Sequence, residues 1–151
     1  MALTTFKSIV KSKGGIKVEG DTRGFKVIFD EPMELGGTNE GMNPVEMQLN
    51  TLGACQIITA KVHAPRFGVQ IDDMWVEVEG DLDLRGFQGV PGVKSGILEI
   101  RFVMHFVTDA PENKVKDLAK EVERLCPIGS TLTSGVDVKE IEVVVEKMIK
   151  S

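Results

Sequence analysis

The chain contains no tyrosine and one tryptophan, and aromatic residues are only 5% of its composition. An aromatic-lined ligand pocket would have to be built from phenylalanines and Trp75. There are two cysteines, Cys55 and Cys126, and two histidines, His63 and His105. That is too few for a closed zinc site, and no C-x-x-C spacing is present. Positive charge is not in excess: 18 Lys and Arg against 23 Asp and Glu leave a net charge of −5. A nucleic-acid or anionic-membrane binder needs a basic surface, so both classes are disfavoured. No run approaches the ~18 apolar residues of a membrane span. The opening MALTTFKSIVKSK lacks the apolar stretch and small-residue cleavage site of a signal peptide, so the expected compartment is the cytoplasm. No G-x-x-x-x-G-K-[ST] phosphate loop occurs, nor any repeat, long linker or low-complexity tract.

What is present suits a soluble globular protein, with 42% hydrophobic and 27% charged residues in 151 positions. One domain over 1–151 is the simplest organisation. Apolar and polar residues roughly alternate in FKSIVKS from Phe6, in IKVEG from Ile16 and in FKVIF from Phe25. Gly14-Gly15 and Asp21-Thr22-Arg23-Gly24 supply the turns of a three-strand meander. A loop over 32–41 leads to Asn43-Pro44-x-Glu46, a capped helix start. The helix should end near His63, before Pro65. No residue from Met47 to Ala60 is charged, which predicts burial on nearly all sides. About 20 residues span roughly 30 Å, more than one small chain readily surrounds. The small residues Gly53, Ala54 and Ala60 would admit a second helix, so an obligate homodimer is expected.

Two long strand patterns follow, from Asp72 and from Gly96, joined by the Gly-rich segment 85–95. A second helix opens at 109–112, with Thr108 or Asp109 as cap. Its apolar positions Val115, Leu118, Ala119, Val122 and Leu125 predict an amphipathic helix over a sheet. A short helical turn at 127–133 and a last strand from Val138 complete the order β-β-β-α-β-β-α-β, an α+β fold.

Cys55 falls within the uncharged helix and Cys126 directly before Pro127. Two buried, inert thiols are the plain alternative. If Pro127 opens a helical turn, its N–H groups favour a thiolate at Cys126. One activated cysteine with another in reach is the minimum for thiol-based peroxide reduction. Arg23 and Arg66 are the cations the sequence offers to a thiolate.

These segments carry a resemblance. GMNPVEMQLNTLGACQ (41–56), DTRGFKV (21–27), EPMELGG (31–37) and CPIGSTLTSGVDV (126–138) are together similar to the OsmC/Ohr family, the osmotically inducible and organic hydroperoxide resistance proteins. The resemblance implies an intertwined homodimer with a long buried central helix and active sites at the interface. It implies Cys55 as peroxidatic cysteine, Cys126 as resolving cysteine, and Glu46 and Arg23 as the pair that serves the thiolate. It further implies organic hydroperoxides as substrates, an external dithiol such as a dihydrolipoyl group as reductant, and no cofactor or metal. Gln56 departs from the family, which more often has an apolar or hydroxyl residue after the cysteine. Nine residues separate Glu46 from Cys55, which at ~100° each places them on opposite helix faces, ~13 Å apart along the axis. Glu46 and Arg23 would then reach Cys55 from the other subunit. The other function such a fold could serve is binding a small apolar or thiol ligand, or redox sensing, without turnover.

Overall fold

The alternation in the N-terminal third is realised as an antiparallel sheet in a computed structural model, which describes residues 2–148. Strands β1 (Ile9–Ser12), β2 (Val18–Thr22) and β3 (Phe25–Phe29) lie in the order β1-β2-β3. The β2–β3 turn holds two residues, Arg23 and Gly24, between the paired Thr22 and Phe25. Their φ angles are 58° and 86°. Positive φ at both central positions is the type I′ geometry that matches strand twist. The Gly24 N–H also donates to Asp21 Oδ1 at 2.9 Å.

Between β3 and the first helix, Asp30 organises the loop. Its buried carboxylate accepts from the N–H groups of Glu31, Thr38 and Glu40 and from Thr38 Oγ1, the last at 2.6 Å. These donors, the Thr38 hydroxyl foremost, hold its pKa down to about 2. The loop folds back so tightly that a Cβ on Gly37 would lie 1.9 Å from the Glu31 carbonyl oxygen.

Helix α1 (Pro44–His63) begins with both halves of a capping box. Glu46 N donates to Asn43 Oδ1 at 2.8 Å, and Asn43 N donates to Glu46 Oε2 at 2.8 Å. One face of α1 is sealed, through Leu52, Gly53, Gln56, Thr59 and Ala60. The opposite face is not: Thr51, Ala54, Ile58 and Val62 are exposed. The expected burial on nearly all sides is therefore not met within one chain, which has only enough sheet and helix to cover half of the cylinder. Gly53 does not serve a helix contact either. It faces strand β4, where a Cβ would sit 3.4 Å from Val78 Cγ2.

After a 3₁₀ turn at Ala64–Phe67, β4 (Asp73–Asp81) pairs antiparallel with β5 (Glu99–Val107) as the predicted long hairpin. The connection includes a short helix, α2 (Leu84–Phe87), capped by Asp83. Met74 and Val76 on β4, with Met104 and Phe106 on β5, join the core, while Trp75 and Glu77 face outward. His105 pairs with Trp75 across the strands, stacks on it at 4.6 Å and bonds Glu77, so it is a sheet-face residue as expected.

Helix α3 (Glu112–Leu125) starts from Pro111 with no side-chain cap. Thr108 instead donates to the Gln70 carbonyl and accepts from Ala110 N. Leu118 and Val122 are fully buried with Ala60 and Ala64, so α3 packs on α1 and the 3₁₀ turn and does not lie flat over a sheet. Ala60 on α1 and Ala64 in the 3₁₀ turn let α3 approach closely there. Helix α4 (Pro127–Ser134) follows directly. The expected strand from Val138 does not form, since 138–148 carries no strand pairing. Val138, Ile141, Val143, Val144 and Val145 are all exposed. The alternation suits a strand, but a strand needs a partner edge, and this segment has none among the described residues.

Candidate active site

The order Leu52-Gly53-Ala54-Cys55-Gln56 places Cys55 on the flank of α1, half-buried, beside the α3–α4 junction. Cys126 occupies that junction, where Pro127 stops one helix and starts the next. It is the N-cap of α4, and its Sγ accepts from Gly129 N at 3.3 Å. A Cβ on Gly129 would lie 3.6 Å from that sulfur. Both thiols are free, and they lie near enough to one another for Cys55 to perturb the ionisation of Cys126. Two residues 71 positions apart thus meet because α4 packs back on α1.

The electrostatics at Cys126 run against the simplest expectation. The α4 N–H groups favour its thiolate, as the helix-start argument requires. Burial opposes them and is larger, and the neighbouring Cys55 adds to it, so the Cys126 thiol is pushed above its ordinary value. Cys126 is 1% exposed, and desolvation of a charged sulfur outweighs one or two N–H donors. Cys126 therefore keeps its proton at neutral pH.

Glu46 and Arg23 are not at this site within the chain. Glu46 is occupied by the capping box through Oε2, and its Oε1 has no hydrogen-bond partner among the described residues. Arg23 sits at the tip of the β2–β3 turn with its guanidinium 5.2 Å from the centre of the Phe25 ring, lining a groove on the N-terminal sheet. Arg66 turns away to His63 Nδ1 at 3.1 Å and to Glu121 at 3.5 Å. Among the described residues no arginine hydrogen-bonds either sulfur. No three His, Cys, Asp or Glu side chains among them cluster as a metal-ligand set. No helix is long and apolar enough to cross a membrane.

Beside Cys126 lies a cavity of about 240 Å³ between α1, β5 and α4. Leu52, Ile100, Phe102 and Leu132 give it an apolar wall, and Gln56 stands among them. Trp75 is on the far side of the sheet, so Phe102 supplies the only aromatic side chain of this lining. The sequence reading missed Asp30 and, although it noted Gln56 as a departure from the family, missed the burial of Gln56. The buried Asp30 had a signal, because Asp before a Gly- and Thr-containing loop commonly accepts from following backbone N–H groups. Gln56 had none, since its burial depends on how α4 closes over α1.

A neighbouring pair of free thiols, one on a long central helix and one capping a short helix, defines a dithiol protein on an α+β fold. The model of the OsmC-like protein family matches residues 37–141, and the chain belongs to that family. The fold is shared with an OsmC-like protein from Mycoplasma pneumoniae, at 22% identity and TM-score 0.76 over 88% of this chain and 89% of that one. It is shared with a Legionella pneumophila organic hydroperoxide resistance protein OsmC, at 21% identity and TM-score 0.64 over 92% and 96%. The uncharacterized protein YmaD of Bacillus subtilis is 28% identical over 116 residues, 72% of this chain and 71% of that protein.

Proposed function

We propose that the protein is a thiol-dependent peroxidase that reduces organic hydroperoxides through Cys55 and Cys126. The observation that carries this reading is the proximity of the two free thiols across the packing of α4 on α1. Hydroperoxide resistance proteins share the fold, which adds support.

In the proposed cycle the Cys55 thiolate attacks the distal oxygen of R–O–O–H. The O–O bond breaks, the leaving alkoxide takes a proton to become the alcohol, and Cys55 becomes a sulfenic acid. Cys126 then attacks the sulfenic sulfur, the S–O bond breaks, water leaves, and a Cys55–Cys126 disulfide forms. An external dithiol, such as a dihydrolipoyl group, returns both sulfurs to thiols. The raised Cys126 thiol holds its proton, which suits the resolving role it takes in this cycle.

The active form is a homodimer in this reading. Cys55 needs a cation, and among the described residues no arginine or lysine hydrogen-bonds it. The second copy would supply the partner's Arg23, steadied by the free oxygen of the partner's Glu46. Three features support the assembly: the uncharged exposed stripe Thr51, Ala54, Ile58 and Val62 on α1, the unpaired alternating segment 138–148, and an N-terminal sheet that makes little contact with the helices.

The test is a thiol count. One equivalent of cumene hydroperoxide should remove two thiols per chain and leave a disulfide linking 55 and 126. Cys55→Ser should bring hydroperoxide consumption down to the uncatalysed rate. Cys126→Ser should permit one attack and then overoxidation. Two thiols persisting after stoichiometric hydroperoxide would refute the peroxidase reading and favour a binding or sensing module.

A further inference from the structure

The register of the N-terminal sheet gives it two unlike faces. Val10, Gly20 and Val27 pair across one face, with Val18 and Phe29 paired beside them. That face is apolar, and it is the one a second copy would cover in the proposed homodimer. The other face pairs Ile9 and Lys26 with Asp21, and Lys11 with Glu19. A groove of about 540 Å³ runs along this second face, lined by these residues and by Phe6 and Lys7 from the segment before β1. Ser8 Oγ donates to the Asp21 carbonyl at 3.3 Å and ties that segment to β2. The groove stays open when the apolar face is covered, because side chains alternate between faces along a strand.

Charge in the groove runs against that of the chain. Lys7, Lys11, Arg23 and Lys26 line it with two carboxylates, Glu19 and Asp21, in a protein of net charge −5. Both carboxylates are engaged. Glu19 lies 3.4 Å from Lys26 Nζ and 3.9 Å from Lys13 Nζ. Asp21 Oδ1 accepts from Gly24 N in the turn. Lys11 stands opposite Glu19 in the register, yet neither it nor Lys7 forms an ion pair among the described residues. Next to these ammonium groups Phe6 is 88% exposed and Ile9 51%. The Arg23 guanidinium lies over the Phe25 ring and is left to its proposed role at the thiolate.

We infer that this groove binds a small anionic amphiphile, an alkyl or aryl body that ends in one carboxylate or phosphate group. Lys7 and Lys11 hold the charged end, and Phe6 and Ile9 cover the body. The volume falls within the ~300–1,000 Å³ of small-molecule sites. A lysine ammonium is a point charge without the fork of arginine, so carboxylate and phosphate are both accepted. An uncharged chain gains the apolar contact alone and an inorganic anion gains the charge alone, so the groove selects molecules that carry both. Neither cysteine lines it, and the site stands independently of the peroxidase reading.

Chemical-shift titrations of the full-length reduced protein compare decanoate, decanol and inorganic phosphate. Decanoate should bind more tightly than either, with shifts at Phe6, Lys7, Ile9 and Lys11. Its affinity should fall as salt is raised from about 20 to about 300 mM, since the charges are exposed. The double variant Lys7→Gln with Lys11→Gln should weaken decanoate by roughly three- to tenfold and leave decanol unchanged. Phe6→Ser should weaken decanoate and decanol by similar factors. All three side chains are exposed, so far-ultraviolet circular dichroism should be the same in every variant. Decyl phosphate against decanoate shows which charged end is preferred, and tighter binding of either that is lost in the double variant supports the site. Decanol binding as tightly as decanoate, no shifts along the groove, or a double variant that holds decanoate as the wild type does would overturn the inference.

Discussion

Leu118 and Val122 on α3 are sealed against Ala60 and Ala64, whereas Ile9, Val10 and Phe25 near one end of the chain and Ile141, Val143 and Val145 near the other face solvent. The two regions have comparable sequence patterns and opposite outcomes. The helical half, with the β4–β5 hairpin, seals one face of α1 inside the chain, and the two thiols lie there, while the other face of α1 stays open. The N-terminal sheet and the segment after α4 have strand-like alternation and no second layer. A single chain leaves them with apolar side chains and backbone groups still to be covered. The comparison indicates where the chain is self-sufficient and where, in the proposed homodimer, it depends on a second copy.

The sharpest way to break that comparison is to damage the self-sufficient half. Leu118→Ala empties a fully buried position and should destabilise the protein by about 2–5 kcal/mol, read from urea unfolding followed by circular dichroism. A loss under about 1 kcal/mol would mean that α3 is not the centre of the core. A smaller effect on the fold, and a larger one on assembly, is expected on the open side of α1. Ile58→Asp puts a charge on the exposed stripe. Sedimentation should change from a two-chain to a one-chain species while far-ultraviolet circular dichroism is retained. If the wild type already sediments as one chain, the second copy is the wrong cover for this face. The mildest change concerns the loop that aims α1. Asp30 has an ordinary value of 3.8 and is held at about 2 in the fold, so its ionised form is the one the folded state favours. That contribution is complete above the unfolded value and is lost as acid protonates the carboxylate down through the folded one. Stability should thus fall between about pH 4 and pH 2, and Asp30→Asn should be less stable at neutral pH with a shallower acid decline in this window.

Much of the architecture was legible because its signals are local. Asn43, Pro44 and Glu46 form a capping box that any chain with those residues at that spacing can close, and α1 ends at His63 just before Pro65. Arg23-Gly24 makes a two-residue turn because both positions tolerate positive φ in that context. Apolar spacing on α3 located Leu118 and Val122. The errors occurred where a local pattern met a non-local partner. The alternation from Val138 looks like a strand, yet no edge among the described residues receives it. Gly53 and Ala60 looked like a helix-packing surface, but Gly53 meets β4 and only Ala60 meets a helix. At Cys126 the helix N-terminus was foreseeable, whereas the depth of burial that outweighs it was not.

Local chemistry in the chain was sufficient to mark the helix starts, the turns and the two sulfurs, since caps, positive φ and apolar period act over a few residues. The tertiary structure alone decided that Cys126 is folded against Cys55, that Gln56 is walled in, and that Arg23 lies beyond reach of either sulfur in its own chain. Those outcomes depend on how α4 closes over α1 and on where the N-terminal sheet stands, and contacts between residues far apart in sequence leave no periodic trace in it.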